Sequence, residues 1–150
     1  MQRMTNKTVL ITGGASGIGK IMARLLLERG AKVILWDINK LKIDETLLEF
    51  ASKGTVAGFI VDVSDSNQIQ ETAKKVKQEI GVVDVLINNA GIVAGKYFHE
   101  HTTLDISKTM DVNANAPMLI TKEFLNDMLD QNSGHICNIA SSGGLISNPK

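Results

Sequence analysis

The sequence predicts an α/β fold in which a doubly wound parallel sheet carries helices on both faces. Two observations lead to this prediction. Short, continuous apolar runs, which are typical of parallel strands buried on both faces, alternate with segments whose apolar residues recur at helical spacing. Every apolar run also ends in small or polar residues, and ligands of doubly wound sheets bind beyond the carboxyl ends of the strands.

Composition fits one globular domain and excludes several classes of protein. The chain has 150 residues, a formal net charge of zero, 43% hydrophobic and 21% charged residues. The balanced charge argues against a nucleic-acid binder. No apolar run approaches the length of a membrane span and the first residues lack a signal core, so we expect no membrane partner and no export. The single cysteine, Cys137, favours a reducing, cytoplasmic setting.

The first predicted unit is a strand over residues 8–11, a glycine-rich stretch over residues 12–19 and a helix over residues 18–27. A helix N-terminus offers backbone N–H groups without intrahelical partners, and the helix dipole favours negative charge there. The glycines let the chain turn sharply and let a pyrophosphate approach closely. The stretch therefore predicts a phosphate-binding loop. The alternative is a tight turn that binds nothing.

Further strands and helices complete the predicted order. The other strands are residues 32–37, 56–63, 82–87 and 134–140. The other helices run through residues 41–50, from the N-cap candidate Ser64 to residue 80, and over residues 105–131. Pro117 either starts a second helix within that last segment or kinks a single one. Residues 92–104 and 141–150 are irregular and are predicted to be loops.

Small or polar residues gather at the carboxyl ends of all the predicted strands. They are the glycine loop, Asp37, Asp62, residues 88–91, and Ser141 with Ser142. These ends meet at one edge of a parallel sheet, so we expect the residues to share one site. Packing alone does not readily explain such residues at every strand end.

Asp37 lies roughly 20 residues beyond the glycine loop, at the end of the second strand. A carboxylate there can accept hydrogen bonds from both ribose hydroxyls of an adenosine and would repel a 2′-phosphate. Its neighbours Trp36 and Ile38, and Ser16 in the loop, supply no positive charge. These residues predict NAD rather than NADP. The alternative is an ordinary exposed loop aspartate.

Four features together resemble the short-chain dehydrogenase/reductase family. They are T-G-x-x-x-G-x-G at residues 12–19, N-N-A-G at residues 88–91, Asn113, and Ser141 after the fifth strand, in the family's order and at roughly its spacing. The resemblance covers essentially the whole chain. It implies a Rossmann fold and hydride transfer between NAD(H) and a secondary alcohol or ketone.

The resemblance also implies roles for individual residues. The implied cofactor-binding residues are Gly13, Ser16, Gly17, Ile18, Gly19, Asp37, Ile38, Asp62, Val63, Asn89, Ala90 and Gly91. Asn88 would instead tie neighbouring strands together. Asn113 would help place a water in a proton relay, and Ser141 would hydrogen-bond the substrate oxygen. Ser141 is preferred to Ser142 because the family serine usually has a glycine three places later, as Gly144 is here.

The family's acid/base, a Tyr-x-x-x-Lys pair, is expected shortly after the serine and beyond Lys150. The only tyrosine, Tyr97, is followed four places on by His101 and lies before Asn113, so it is not assigned that role. We therefore expect residues 1–150 to form a single NAD-binding Rossmann domain, truncated after the fifth strand and incomplete at its C-terminal end. Such a domain would hold the cofactor but would not catalyse efficient hydride transfer.

Two other functions stay open: a non-catalytic NAD-binding or interaction module, and an NADP-linked reductase of the ketoacyl type. The expected partner is a small alcohol or ketone, lipid-like because residues 139–144 are similar to members acting on retinoids or steroids. The apolar face of the helix over residues 117–129 suggests a homo-oligomer, a dimer or tetramer. No metal is expected, because His99-Glu100-His101 has no third histidine or cysteine nearby.

Overall fold

A computed structural model describes residues 4–141. It contains a five-stranded parallel sheet with the strand order β3-β2-β1-β4-β5. The strands are β1 Thr8–Thr12, β2 Lys32–Asp37, β3 Val56–Ile60, β4 Val85–Asn88 and β5 His135–Asn138. The helices are α1 Gly17–Glu28, α2 Lys40–Phe50, α3 Ser66–Glu79, α4 Thr103–Met110 and α5 Ala116–Asp130. The predicted α/β class and its Rossmann topology are confirmed, and the strand order reverses between β1 and β4.

The sheet separates two apolar layers, which explains why its strands are continuously apolar. Leu10 points into a layer that includes Val76 of α3 and Phe124 of α5. Its neighbours Val9 and Ile11 point the other way, into a layer with residues of α1 and α2. Alternate residues of one strand therefore meet opposite helices, so no position of β1 faces water.

The third strand ends earlier than predicted. β3 stops at Ile60, whereas the apolar run predicted a strand through Val63. The Asp62 N–H leaves the ladder because it donates to the side-chain Oε1 of Gln68, 3.0 Å away on α3. Asp62 and Val63 therefore lie in the loop after the strand, where their side chains can face a ligand.

The predicted N-cap of the next helix was also one residue off. Asp65 rather than Ser64 caps α3, because its Oδ1 accepts from the N–H groups of Asn67 and Gln68. The Ser64 hydroxyl donates instead to Asp62 Oδ1, at 2.6 Å. Both residue types are good N-caps, so composition alone did not distinguish them.

The segment predicted as a loop over residues 92–104 contains helical structure. A short 3₁₀ turn covers Phe98–Glu100, and α4 begins at Thr103. The Thr102 hydroxyl accepts from the Asp105 N–H at 3.1 Å, which starts that helix two residues before the predicted position. A π-helical segment, Asp111–Asn115, joins α4 to α5, and Pro117 lies in the first turn of α5, one of the two predicted placements.

β4 and β5 are shorter than predicted, beginning at Val85 and His135 and ending at Asn88 and Asn138. None of the helices between residues 4 and 141 combines the length and apolar character that crossing a bilayer requires. The Ser142 and Gly144 used in the sequence argument lie outside the described residues.

Candidate functional site

One cavity of about 280 Å³ lies beyond the carboxyl ends of the strands. Eight of the predicted cofactor-binding residues line it: Gly13, Ser16, Asp37, Ile38, Asp62, Val63, Ala90 and Gly91. They come from the ends of β1 and β2, from the loop after β3 and from the chain after β4. The structure thus brings together residues that are far apart in sequence, as the polar strand ends predicted.

The glycine loop between β1 and α1 has two different requirements. Gly17 has a φ of +52°, and a Cβ there would meet nothing within 4 Å, so the left-handed backbone needs the glycine while open space lies beside it. Gly19 is the opposite case, because a Cβ there would collide with the Gly13 carbonyl oxygen. One glycine shapes an open cradle, and the other lets α1 pack against the loop.

The N-terminus of α1 lacks an internal cap. Ser16 is the N-cap, but its side chain accepts no hydrogen bond from the first turn, and that turn, which includes Ile18, contains no acidic residue. The N–H groups at this end therefore have no side-chain acceptor, and the dipole is not offset by a carboxylate. This end of α1 is suited to bind an external anion.

Asp37 is nearly buried, with only 9% of its surface exposed, so the alternative reading of an exposed loop aspartate is wrong. Its Oδ2 accepts from the Ala15 N–H at 3.1 Å, and its Oδ1 accepts from the Asn39 N–H at 3.0 Å. No cation among residues 4–141 forms an ion pair with it. Each oxygen keeps acceptor capacity, so the carboxylate can receive further hydroxyl donors.

Four hydrogen bonds join the loops after β1 and β4. The Thr12 hydroxyl oxygen accepts from the N–H groups of Asn89 and Ala90, each at 3.0 Å. The Asn89 side-chain amide donates back to the carbonyls of Thr12 and Gly13, at 2.9 and 3.3 Å. Asn89 therefore positions the glycine loop and does not itself line the cavity. Sequence reasoning missed the role of Thr12, whose only signal was a hydroxyl at the end of a strand.

Asn88 joins neighbouring strands, as expected. Its Nδ2 donates to the Oδ1 of Asn138, 2.8 Å away on β5. The residue is buried and lies outside the lining of the cavity.

Asn113 lies in the π-helical segment and holds the chain that follows the N-N-A-G stretch. Its Oδ1 accepts from the Ile92 N–H and its Nδ2 donates to the Ile92 carbonyl, both at 2.9 Å. The side-chain amide is thus engaged by the backbone. Ser141 is exposed just beyond β5 and, like Asn113, is not among the residues that line the cavity.

The structure adds cavity residues that sequence reasoning missed. These are Trp36, Val61, Ile92, Lys108 and Val112. Lys108 and Val112 come from the α4 region and lie one helical turn apart, a spacing that many helical residues share. Their assignment depends on how the helix packs over the sheet edge, which the sequence pattern does not reveal.

The His99-Glu100-His101 stretch has a local structural use. The Glu100 carboxylate accepts from the Tyr97 N–H at 2.9 Å, which closes the 3₁₀ turn. Across residues 4–141, no group of three histidine, cysteine or acidic side chains is arranged to hold a metal ion.

The sequence model for short chain dehydrogenase matches residues 7–150. The chain belongs to the short-chain dehydrogenase family. It is 42% identical over 147 residues to estradiol 17-beta-dehydrogenase 11 of Homo sapiens, covering 97% of this chain and 49% of the relative. It is 40% identical to epidermal retinol dehydrogenase 2 of Mus musculus, covering 97% of this chain and 48% of that protein.

Solved structures of the family agree with the fold. A metagenomic short-chain oxidoreductase in complex with NADP matches with a TM-score of 0.90 and 32% identity, over 99% of this chain and 67% of that one. The chain spans about half the length of the curated relatives that it matches. The fold of the family is one that binds a nicotinamide dinucleotide.

Proposed function

We propose that this chain binds NAD(H) and is part of a dehydrogenase/reductase of a secondary alcohol or ketone. The observation that carries the proposal is that two features able to bind ligand groups lie at one cavity. The α1 N-terminus has no internal cap, and the nearly buried Asp37 carboxylate has no cationic partner among residues 4–141. A pyrophosphate suits the first and a ribose diol the second.

The residues present fit each part of such a ligand. The open space beside Gly17 leaves room for phosphate oxygens near the α1 N–H groups. Asp37 can orient the adenosine ribose, with Ile38 beside it. Val63 and Val112 give the cavity apolar walls for a base, and Asp62 supplies a carboxylate at its edge. When bound, the nicotinamide supplies or accepts the hydride.

One feature of the described residues supports the placing of a water for proton transfer. Pro117 has no N–H, so the Asn113 carbonyl, four residues earlier, lacks the donor that an α-helix would give it. Because the Asn113 side chain is already bound to Ile92, we assign the placing of a water to this carbonyl. Ser141 is proposed to hydrogen-bond the substrate oxygen.

The acid/base is not assigned to any described residue. Tyr97 caps the 3₁₀ turn and does not line the cavity. We therefore propose that residues 1–150 hold the cofactor without efficient turnover by themselves. A non-catalytic NAD-binding or interaction module is the alternative.

A lipid-like alcohol is the proposed substrate class. The segment that follows the cavity residue Ile92 exposes large apolar side chains, with Val93 91% and Phe98 80% exposed. Two relatives carry estradiol and retinol in their names, and both of these are apolar alcohols. Two large apolar side chains on α5, Met118 and Leu129, are exposed, and we propose that this surface mediates formation of a homo-oligomer. A cytoplasmic location stays a prediction.

NAD is preferred because the Asp37 carboxylate would repel a 2′-phosphate. An NADP-linked reductase is the second candidate, and the NADP-bound neighbour is the observation that favours it.

Cofactor binding can be measured without turnover. Trp36 is the only tryptophan, and it lines the cavity, so its emission should fall as energy passes to bound NADH. Asp37→Asn keeps the side-chain size but removes the charge. We expect it to weaken NADH binding by roughly tenfold and to narrow the preference for NADH over NADPH.

The matched control is Asp44→Asn, which changes an exposed aspartate on α2 that pairs with Lys40. It should leave both affinities unchanged. If the wild-type chain binds neither NADH nor NADPH, the proposed function is wrong. If it binds NADPH more tightly, the assigned cofactor preference is wrong.

A further inference from the structure

Lys108 is the one cationic side chain among the described residues that line the cavity. It lies on α4, and Val112, one turn later, lines the same cavity, so this face of the helical segment forms one wall. Lys108 forms no ion pair within residues 4–141. The carboxylates nearest to it in sequence are engaged elsewhere: Asp105 pairs with Lys96 at 3.0 Å, and Asp111 accepts from Asn115 at 2.9 Å.

The other two charged residues of the cavity lining are acidic. They are Asp37 and Asp62, and each accepts from backbone N–H groups or a hydroxyl and pairs with no cation among residues 4–141. Two carboxylates and one ammonium leave a net negative charge around any bound group. Without Lys108, a phosphate placed in this cavity would meet repulsion from both aspartates and no attraction from a side chain of the lining.

We infer that Lys108 binds the adenosine half of the cofactor and determines how strongly the site rejects a 2′-phosphate. This inference rests on the proposed function. A lysine stem is flexible and can carry its ammonium over the edge of a bound nucleotide. A 2′-phosphate adds about two negative charges to that nucleotide, whereas the hydroxyl of NAD adds none. Lys108 therefore contributes more to NADPH binding than to NADH binding.

The test compares dissociation constants of NADH and NADPH, measured by the fall in Trp36 emission, in the 150-residue chain. Lys108→Met keeps much of the stem and removes the charge. We expect roughly tenfold weaker NADPH binding and at most roughly threefold weaker NADH binding. Lys108→Arg keeps the charge and should bind NADPH as tightly as the wild type does. In high salt, the extra loss of NADPH affinity caused by Lys108→Met should become smaller.

The matched control is Lys75→Met, which removes an exposed lysine of α3 that does not line the cavity. It should change neither constant. Equal losses for the two cofactors, or none, would overturn the inference while leaving the proposed function in place. Failure of the wild type to bind either cofactor would instead remove the proposed function. Lys108→Gln serves as a second variant if the methionine variant does not fold.

Discussion

The N-termini of α1 and α3 are built differently although both helices begin at the same edge of the sheet. At α3, the Asp65 carboxylate accepts from two N–H groups, at 2.9 and 3.3 Å. At α1, Ser16 makes no such bond and no acid lies in the first turn. The N-terminal N–H groups of α3 are capped by a carboxylate of the protein, whereas those of α1 have no side-chain acceptor and can bind an external anion. The difference indicates which helix N-terminus is suited to an external anion and which is stabilised by a side chain of the protein itself.

The largest expected effect comes from displacing the glycine loop that precedes the open N-terminus of α1. Gly19→Ala places a Cβ against the Gly13 carbonyl oxygen, so the glycine loop must shift. We expect NADH binding to weaken by roughly 100-fold and stability to fall by roughly 2 kcal/mol. Titration with NADH and thermal melts measure the two effects.

Gly81→Ala is the control for that change. Gly81 has a φ of +104°, so an alanine there is strained by the backbone conformation, and it lies outside the cavity lining. It should lower stability and leave NADH binding intact. Normal cofactor affinity in Gly19→Ala would show that the tight packing of α1 against the loop is not needed for binding.

A smaller effect is expected from giving α1 the kind of cap that α3 has. Ser16→Asp places a carboxylate at the open N-terminus, where it would compete with the pyrophosphate. NADH binding should weaken by roughly tenfold while the melting temperature rises by roughly 2–4 °C. Ser16→Ala, which removes a hydroxyl that makes no capping bond, should change the affinity little. Unchanged NADH affinity in Ser16→Asp would contradict the assignment of this end as the phosphate site.

The smallest effect on binding is expected at α3. Asp65→Ala should lower the melting temperature by a few degrees, roughly 2–5 °C, and leave NADH affinity unchanged. Hydrogen bonds from the Gln68 backbone and side chain and from the Asn67 N–H hold the pKa of the Asp65 carboxyl below its usual range. Its stabilisation is therefore present above that range and is lost as the pH falls through the lowered pKa of the folded state.

Thermal melts of wild type and Asp65→Ala across acidic pH check the sign of that dependence. The two melting temperatures should converge as the pH falls below the usual range of an aspartate. A gap that stays constant would mean that the charge of Asp65 is not the source of the stabilisation, whereas a loss of NADH binding in the variant would mean that the two helix ends are not independent.

The sequence was sufficient for much of the fold because the strands are continuous apolar runs and most helices have apolar residues at helical spacing. β2 matched its predicted residues 32–37 in full, and the polar strand ends marked the edge where the cavity lies. Boundaries failed where a side chain from another element decided them. β3 ends early because Gln68, six residues beyond the Asp62 N–H, binds it, and no local pattern contains that contact.

The sequence predicted which residues lie near the site better than it predicted what each side chain does there. Asn89 and Asn113 do not line the cavity, and the side chain of each binds another part of the backbone, 77 residues away for Asn89 and 21 for Asn113. Lys108 had no sequence signal at all, since an exposed lysine on a helix is ordinary. Its relevance appears only when α4 is seen beside the ends of β2 and β3.

The bonds between Thr12 and the Asn89–Ala90 segment have a consequence for the energetics of ligand capture. The two loops that flank the point where strand order reverses are fixed to each other by four hydrogen bonds, in which Thr12 and Gly13 accept. The rim of the cavity is thus ordered as part of folding. A dinucleotide arriving there does not have to organise it, so little conformational entropy of these loops opposes association.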